Sequence, residues 1–450
     1  MLRVFLVQTA QGLTPSSGGY KANVNLLRQL SKSGHETAQI CYGLEHEVDK
    51  FAKKAVSKGV EPNVTICTTI PVTDLQGVTH ELSVKTFRDM DRVNNVVISR
   101  DPFNKAYPYW EFRADTIDYI QGRPISKRMR TLLDLFSERI KAFKPTHVVF
   151  NDALTMKLTG ELKSRGEYDG KRVAIIHTAE QLPFGPFCGG IEGHCISAEE
   201  EYKMLQGVDG IWTVSGAIKR YAWEHGKLET TFLVHSNLTY LDRETGGMPK
   251  VRMNVDRDEV GMVNPCPHKG LSILLALADK LPHIKFVVWK SWGSHEQHIV
   301  QLQARPNITI METTCDTDEI WDRIKILLAP SLWFEAWGVV VTEAQLRGIP
   351  VIASNAGGLP EAKIGLPHCI PVKAISGDHD ANGEYDIPDQ DITPWESVVS
   401  TLMADDDEYR NLATLTADES AKWLCGLDER SHEKWLLEMM KSGPEMPKEL

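Results

Sequence analysis

The sequence lacks several features that would assign it to a class at once. It has no excess of positive charge, because 50 Lys and Arg stand against 61 Asp and Glu, for a formal net charge of −11. A nucleic-acid backbone is bound by clustered Lys and Arg, so nucleic acid is not expected as the main partner. No apolar run approaches the roughly 18 residues that a membrane-spanning helix needs. These absences favour a soluble protein without a transmembrane span.

Paired metal ligands and paired cysteines are also missing. The eight cysteines are scattered without a C-x-x-C pair, so neither a zinc site nor a disulfide framework is predicted, and a reducing cytoplasm is expected. The triplet Asp316-Thr317-Asp318 has the D-x-D form of some metal-dependent enzymes. The following EIWDRIKIL has helical spacing, however, and acidic residues favour a helix N-terminus. We therefore predict a helix cap here and no metal site.

The length of 450 residues exceeds what one hydrophobic core usually holds. Short apolar runs alternate with stretches of helical spacing, which predicts an α/β fold with doubly wound parallel sheets. We place one domain at 1–245, a second at 251–395 and C-terminal helices at 396–450. The apolar start LRVFLVQ is too short for the core of a signal peptide and predicts the first strand.

One stretch, Ala329 to Glu361, combines a strand end, a loop, a helix and a second strand. The apolar run 326–329 stops at Pro330, residues 339–346 have helical spacing, and PVIAS resumes as a buried strand. Two carboxylates frame the turn of this βαβ unit. Glu335 lies in the loop and Glu343 lies in the helix, so we expect both at one edge of a cleft.

This stretch resembles the nucleotide-sugar site of the retaining GT-B glycosyltransferases of family 4, in glycosyltransferase group 1. The family signature is E-x7-E, continued as E-A-x-x-x-G-x-P-V-I-A and a Gly-Gly-x-x-E turn. Here the sequence from Glu335 reads EAWGVVVTEAQLRGIPVIASNAGGLPE. Gly338, Gly357 and Gly358 fall at the family spacing. The resemblance covers nearly the whole chain, although before Ser215 it rests on layout alone.

The resemblance implies two Rossmann-like domains that face each other across a cleft. The N-terminal domain would bind the acceptor and the second the nucleotide sugar, with the last helices packing back on the first domain. The implied activity is transfer of a hexose from a nucleoside diphosphate sugar to a hydroxyl group, with retention and without a required metal or other cofactor. UDP-sugars such as UDP-glucose are favoured by their frequency in the family.

The resemblance also implies roles for the residues of this stretch. Glu343 would accept hydrogen bonds from the ribose hydroxyls, and Glu335 would hold hydroxyls of the sugar. Gly338 belongs to the same donor loop. The backbone amides near Gly357 and Gly358 would complete the donor pocket.

A cation stands in the second predicted donor segment. Lys269 and Gly270 open a predicted helix and match the phosphate-binding Lys-Gly of the family. A Lys at a helix N-terminus meets a pyrophosphate with its charge and with backbone donors together. Many members carry an Arg directly after the preceding strand, but this chain has Asn264 there. One charge partner of the pyrophosphate is therefore missing or replaced.

Two features of the N-terminal half fit the same layout. A strand at 2–8, a loop that ends in Gly18 and Gly19, and a helix at 20–33 form a phosphate-cradle pattern, with a tight turn as the alternative. His177 follows the apolar run 172–176. A residue at the carboxyl end of a parallel strand lies where doubly wound sheets bind ligands. The family carries a His here, which implies that His177 contacts the sugar or the leaving group; a structural role is the alternative.

The segment 100–116 is rich in aromatic residues and lacks a clean period, which predicts an irregular insertion. Its aromatic side chains are the predicted acceptor-binding residues, with local packing as the alternative: Tyr107, Tyr109, Trp110 and Phe112. They favour a small or lipophilic acceptor. The following helical stretch, 125–144, carries Lys127, Arg128 and Arg130. It predicts a packed helix with a basic outer face, and it leaves peripheral membrane contact open.

Two other functions are left open by the sequence. A GT-B sugar-nucleotide epimerase or hydrolase shares this architecture and would release nucleotide without an acceptor. A non-catalytic partner subunit of a glycosyltransferase is suggested by Asn264 and would require a second chain for activity.

Overall fold

The structure is a computed structural model that describes residues 1–13, 17–57, 59–60, 65–190, 194–238, 241, 247–314, 316–379 and 385–441. The chain divides into two compact units. The first unit comprises 1–214, 219–237 and 428–450, and the second comprises 215–218 and 238–427. The chain thus passes between the units after Asn237, whereas the predicted boundary at residue 245 lies outside the described residues.

The first unit is built on a nine-stranded sheet with the order β3-β4-β5-β2-β1-β6-β7-β8-β9. Strands β3 and β4 form an antiparallel extension, and the other strands are parallel. The central strands are continuous apolar runs because helices cover both of their faces. The strands are β1 (Arg3–Gln11), β2 (Glu36–Gly43), β3 (Ile66–Thr73), β4 (Thr79–Arg88), β5 (Asn94–Ser99), β6 (His147–Phe150), β7 (Lys171–Ile176), β8 (Gly210–Thr213) and β9 (Thr231–Val234).

Helices connect these strands, and several begin at a side chain that caps the first turn. Ser17, Ser126 and Asp152 each accept a hydrogen bond from a backbone N–H three residues later. The helices are α1 (Gly18–Lys32), α2 (Glu45–Ser57), α3 (Arg100–Ala106), α4 (Tyr109–Ile120), α5 (Lys127–Phe143), α6 (Ala153–Ser164), α7 (Ala198–Gln206) and α8 (Gly216–Gly226).

The prediction of an irregular insertion at 100–116 is wrong, because α3 and α4 cover most of it. Pro102 lies in the first turn of α3 and Pro108 directly precedes α4. A proline is compatible with the first turn of a helix, where its missing N–H has no intrahelical partner. The two prolines therefore interrupt the hydrophobic period without preventing helices.

The basic outer face predicted for α5 is only partly present. Arg128 is buried, and its guanidinium donates to Asp115 at 2.7 Å and to Glu111 at 2.6 Å. Lys127 and Arg130 are exposed. A buried guanidinium with two carboxylate partners is a structural ion-pair network, so Arg128 belongs to the core of the first unit.

The second unit carries a six-stranded parallel sheet with the order β12-β11-β10-β13-β14-β15. Together with the first sheet it confirms the predicted α/β class with doubly wound parallel sheets. Its strands are β10 (Glu259–Val263), β11 (Lys285–Trp289), β12 (Ile308–Met311), β13 (Ile326–Ala329), β14 (Val351–Ser354) and β15 (Cys369–Ile370). Its helices are α9 (Leu271–Lys280), α10 (Glu296–Gln303), α11 (Asp318–Trp321), α12 (Val339–Leu346), α13 (Leu359–Ala362), α14 (Thr393–Ala404) and α15 (Asp406–Gly426).

The last helix, α16 (Ser431–Lys441), belongs to the first unit, whereas α14 and α15 belong to the second. His432 at its start is buried between the rings of Trp212 and His235, with ring centroids 4.4 and 4.9 Å away. Burial lowers the pKa of His432 and of His235, and it lowers the pKa of the nearby His147 to about 4. Neutral histidines thus lie beneath the C-terminal helix.

Acidification is expected to destabilise the first unit. Because the folded-state pKa of His147 lies below the ordinary value near 6.5, the unfolded chain binds more protons below that pH. The free energy of unfolding should be fully retained above pH 6.5 and should decrease as the pH falls toward 4. Protonation of His147 in the unfolded chain should alone account for a decrease of about 2 kcal/mol by pH 5. Denaturant unfolding at pH 7 and pH 5 measures this difference.

The variant His147→Asn should lack the part of the pH dependence of unfolding that His147 contributes. The variant His283→Asn, at an exposed position of the second unit, should show the same pH dependence as the parent protein. Equal pH dependence in both variants would contradict this explanation.

Candidate functional site

The two halves of the second sheet meet at β10 and β13. From β10 the chain proceeds outward through β11 and β12, and it then returns to the other side of β10 at β13. Doubly wound sheets bind ligands at such a reversal, outside the carboxyl ends of the strands. The loops after β10 and β13 carry the predicted residues Lys269 and Glu335.

The loop after β10 is fitted closely against the loop after β13. A short 3₁₀ turn, Pro267–Lys269, leads into Gly270, which has a φ of 89°. A Cβ at position 270 would lie 2.1 Å from the carbonyl oxygen of Pro330, so only glycine permits this approach. The carbonyl oxygen of His268 accepts hydrogen bonds from the N–H groups of Leu332 and Trp333, both at 3.0 Å. The two loops therefore form one rigid wall.

Lys269 and Glu335 contact each other in this wall. The Lys269 Nζ donates a hydrogen bond to the Glu335 Oε1 and forms an ion pair with it. Burial alone would raise the pKa of Glu335, but the charge of Lys269 and hydrogen bonds from Lys269 and Ser331 hold that pKa below its ordinary value. Glu335 is therefore an ionised hydrogen-bond acceptor, beside an ammonium that has three N–H groups to donate.

The predicted glycines lie against the backbone of the Glu335 loop. Gly357 has a φ of 58°, and a Cβ there would lie 2.2 Å from the Glu335 carbonyl oxygen. The N–H of Gly358 donates to that same oxygen at 2.6 Å. Gly338 precedes the first residue of α12, and its Cα faces the side chain of Leu359. All three predicted glycines thus surround the loop that holds Glu335.

Glu343 is the fifth residue of α12 and is half-buried. Arg347 lies one turn further along the chain, and its Nη1 donates to the Glu343 carbonyl oxygen at 2.9 Å. Burial lowers the pKa of Arg347, and the carboxylate of Glu343 opposes that shift. Glu343 therefore has an electrostatic partner in its own helix, and its contact with a ribose stays a prediction.

Asn264 serves the fold at the carboxyl end of β10. It is buried with a φ of 60°, a left-handed conformation that Asn adopts more readily than most residues. Its Oδ1 accepts a hydrogen bond from the N–H of Gly293 at 3.0 Å. Asn264 thus fixes the loop after β11 and brings no positive charge to the site.

In the first unit, the two predicted glycines lie in a helix rather than in the loop before it. The Oγ of Ser17 accepts from the N–H of Tyr20 at 3.3 Å, so α1 begins at Gly18. The prediction that the helix begins at Tyr20 is wrong for this reason. Gly19 lies against the ring of His177, where a Cβ would come within 2.9 Å of Cγ and Cδ2. The structure therefore brings together Gly19 and His177, although 158 residues separate them.

His177 follows β7 and is held by a chain of buried amides. Its Nε2 lies 2.7 Å from the Asn23 Oδ1, and the Asn23 Nδ2 donates to the Gln8 Oε1 at 2.9 Å. Because the Asn23 Oδ1 only accepts, Nε2 carries the imidazole proton. Burial lowers the pKa of His177 to about 4, so the ring is neutral at neutral pH. Its buried Nδ1 has no partner among the described residues and carries a free lone pair that can accept a hydrogen bond.

The sequence reasoning missed Asn23 and Gln8. Both are buried polar residues, on α1 and β1 respectively. The available signal was the pair Asn23 and Asn25, which interrupts the apolar face of α1 with polar side chains.

Three of the four predicted acceptor residues line a cavity, and the fourth does not. Tyr107 stacks on Phe103 with centroids 4.6 Å apart, and Phe112 meets both rings edge-on at 5.6 and 5.7 Å. Tyr107, Tyr109 and Phe112 line a cavity of about 760 Å³ within the first unit. Trp110 does not line it and is 66% exposed.

The described residues contain neither a cluster of metal ligands nor a helix that could span a membrane. Among them, no three or more His, Cys, Asp or Glu side chains are grouped to hold a metal ion. Asp318 is the first residue of α11, and its carboxylate pairs with Arg252 at 2.7 Å, which fits the predicted helix start. In the same part of the chain, no helix is both long and apolar enough to cross a membrane.

The variant His177→Ala is expected to lower turnover more than donor affinity. His177 lies at the end of β7 in the first unit, whereas the predicted diphosphate cation, Lys269, lies in the second. Loss of a positioned proton acceptor typically costs about a hundredfold or more in rate. Initial rates and UDP calorimetry separate the two effects. As a control, Asn23→Ala should keep the imidazole but remove the contact that fixes which ring nitrogen carries the proton. This variant should have an intermediate rate. Normal turnover of a folded His177→Ala variant would assign His177 a structural role.

Comparison with known proteins finds a family match within the second unit. Residues 252–364 match the family described as Glycosyl transferases group 1. A stretch of 36 residues is 58% identical to an uncharacterized 41.2 kDa protein in the cps region of Klebsiella pneumoniae, but it spans only 8% of this chain and 10% of that protein.

Solved structures resemble nearly the whole chain at low identity. The sucrose-phosphate synthase of Thermosynechococcus elongatus has a TM-score of 0.60 at 14% identity, with 98% of both chains covered. Mutant TarM of S. aureus, solved with UDP among its ligands, has a TM-score of 0.58 at 11% identity, with 98% of this chain and 100% of that chain covered. HepE of Anabaena, solved with UDP-glucose, has a TM-score of 0.55 at 12% identity and the same coverage. The predicted GT-B fold is confirmed, and residues 252–364 form a domain that matches the predicted glycosyltransferase group 1.

Proposed function

We propose that the protein transfers a sugar from a nucleoside diphosphate sugar to a hydroxyl group of a small or lipophilic acceptor, with retention, as in family 4. The observation that carries this proposal is the Lys269–Glu335 pair at the reversal of the second sheet. A diphosphate sugar joins a hydroxyl-rich ring to a diphosphate anion. An ionised carboxylate beside an ammonium matches these two parts.

In this proposal each residue acts on a different part of the donor. Lys269 neutralises the leaving diphosphate, a role that a metal ion fills in other enzymes. Glu335 holds the sugar hydroxyls, Glu343 the ribose, and the amides near Gly357 and Gly358 complete the donor pocket. His177 offers its Nδ1 to the sugar or the nascent leaving group. We further propose that the protein acts in the cytoplasm and needs no cofactor besides the nucleotide sugar.

UDP is the favoured nucleotide. The similar structures of HepE and TarM were solved with UDP or a UDP-sugar, which supports this choice. The cavity beside the predicted acceptor aromatics supports a transferase over an epimerase or a hydrolase, because neither of those needs a site for an acceptor. The side chain of Asn264 holds the N–H of Gly293 and so has a structural role. The absence of an Arg at this position therefore does not favour a non-catalytic partner subunit.

Thermal unfolding with UDP, GDP, ADP and their glucose or mannose conjugates tests the proposal. A nucleotide at a hundredfold its dissociation constant should stabilise the protein by about 2.7 kcal/mol, and UDP compounds should reach this at the lowest concentration. The absence of a shift with every nucleotide would contradict a donor site in this chain.

Chelation is expected to leave activity unchanged. Lys269 provides the charge that would otherwise come from a divalent cation, so transfer should proceed at the same initial rate with and without EDTA. Initial rates with added manganese provide the control. Complete loss on chelation that manganese restores would contradict the proposed role of Lys269.

A further inference from the structure

The cavity of the first unit lies at the carboxyl ends of β6 and β7. Its volume of about 760 Å³ is within the range of about 300–1,000 Å³ that small-molecule sites occupy. Aromatic and aliphatic side chains form most of its wall, among them Tyr107, Phe112, Phe150, Ile176 and Leu205. Such a wall favours an apolar body over a bare sugar, since a sugar would require many hydrogen-bonding partners.

Three polar atoms along this wall are buried and have no hydrogen-bond partner among the described residues. They are the Tyr42 hydroxyl oxygen, the Arg113 Nε and the Asn151 Oδ1. Buried polar groups in native proteins are almost always paired, so an unpaired set along one cavity indicates a ligand that pairs them. One atom is a cationic donor, one is an acceptor, and the hydroxyl is both.

The charge of Arg113 is not balanced by the acidic residues of the cavity. Asp152 caps α6 by accepting from the N–H and the hydroxyl of Thr155, at 2.7 and 2.9 Å. Glu201 accepts from the N–H groups of Ile196 and Ser197, at 2.7 and 2.9 Å. Both carboxylates are thus engaged by the backbone, and Arg113 forms no ion pair with any residue that the structure describes. An acidic group on the ligand would complete it.

The Asn151 end of the cavity adjoins His177. The Gln181 Nε2 donates to the Asn151 carbonyl oxygen at 3.1 Å, and the Gln181 Oε1 accepts from the N–H of His177 at 2.7 Å. Strands β6 and β7 are neighbours in the sheet, so Asn151 and His177 follow adjacent strand ends. A ligand hydroxyl that donates to the Asn151 Oδ1 would therefore lie at the strand end next to the one that His177 follows.

We infer that this cavity binds the acceptor, and that the acceptor is an amphiphile with an apolar body, a hydroxyl at the Asn151 end and an acidic group at Arg113. The inference rests on the proposed transfer reaction and names its substrate class. Tyr42 would hydrogen-bond the same ligand along the apolar wall.

Calorimetry on the full chain with three probes tests the inference. The probes are 1-naphthyl phosphate, which has an apolar body and an acidic group, 1-naphthol, which has the same body with a neutral hydroxyl in place of the phosphate, and inorganic phosphate. We expect 1-naphthyl phosphate to bind about tenfold or more tightly than 1-naphthol, because a charge-assisted hydrogen bond adds to apolar burial. Inorganic phosphate should bind at least about a hundredfold more weakly than 1-naphthyl phosphate, since it fills none of the apolar wall.

Substitutions test which side chains of the cavity contact the probes. Arg113→Gln should remove the advantage of 1-naphthyl phosphate over 1-naphthol, whereas Arg130→Gln, at an exposed arginine of α5, should keep it. Tyr42→Phe should weaken both naphthyl probes by about two- to tenfold, which is the usual range for one neutral hydrogen bond.

The outcomes separate this inference from the proposed function. Equal binding of the two naphthyl probes, or an Arg113→Gln variant that behaves like Arg130→Gln, would contradict the inference that the acceptor carries an acidic group at Arg113. Absence of naphthyl binding with intact UDP binding would overturn the cavity as the acceptor site and leave the donor site standing. Naphthyl binding without UDP binding would do the reverse.

Discussion

The variant Glu335→Gln is expected to lower the transfer rate by about a hundredfold or more without weakening UDP binding. Glutamine keeps the size of the side chain but loses its charge, so the sugar hydroxyls lose a charged acceptor and the ring loses its orientation. Lys269 also loses its carboxylate partner in this variant. Its positive charge is then available to the diphosphate alone, so UDP affinity should stay the same or rise.

The matched comparison is Glu343→Gln. If Glu343 holds the ribose, this variant should weaken UDP and an unreactive UDP-sugar analogue alike, by about 1.5 to 3 kcal/mol. Calorimetry with both ligands on both variants decides between the roles. Because the charge of Glu343 acts on Arg347, the melting temperature of each variant should be recorded beside its affinity. Equal impairment of free UDP by the two variants would overturn this division of roles.

The variant Lys269→Ala is expected to weaken UDP binding by about 1.5 to 3 kcal/mol, the value of a hydrogen bond to a charged group. Glu335 would then stand half-buried without its cation, and its negative charge would repel the diphosphate. The effect should therefore be larger than the loss of one contact. In the double variant with Glu335→Gln, part of the affinity should return, because residues of one ion pair do not act additively.

A control for this variant lies at the end of α9, the helix that follows Lys269 in the chain. Lys280, at the end of α9, is exposed and pairs with Glu396 at 2.9 Å. Lys280→Ala should leave UDP affinity unchanged, and both alanine variants should unfold like the parent protein. Unchanged affinity in Lys269→Ala would remove that residue from the donor site.

The bounds of several elements in the second unit could be predicted from the sequence because each of them has a single hydrophobic pattern. Strands β10 and β13 are buried on both faces, so they are continuous apolar runs, and their bounds are those predicted. The helix at 339–346 was also predicted with its observed bounds. In the first unit, β3 is an edge strand with an exposed face, and its antiparallel pairing with β4 was not predicted.

The sequence predicted the residues of the site better than it predicted the contacts between them. Motif spacing identified Lys269 and Glu335, but no local pattern shows that side chains 66 residues apart form an ion pair. The same holds for Asn23 and His177, which are 154 residues apart and meet only because β1 and β7 lie in one sheet with α1 packed beside them. Local sequence determines which elements form, whereas the topology determines which side chains meet.

The turn at Asn264 limits which substitutions this loop can accept. The left-handed backbone at position 264 disfavours most side chains, and the Asn264 oxygen also holds the N–H of Gly293. A Cβ at Gly293 would in turn lie 2.7 Å from the sulfur of Cys266 and 3.0 Å from that oxygen. Positions 264, 266 and 293 therefore constrain one another, and a substitution of Asn264 by arginine would disturb all three. We expect this turn to accept coordinated changes at the three positions more readily than a change at any one of them.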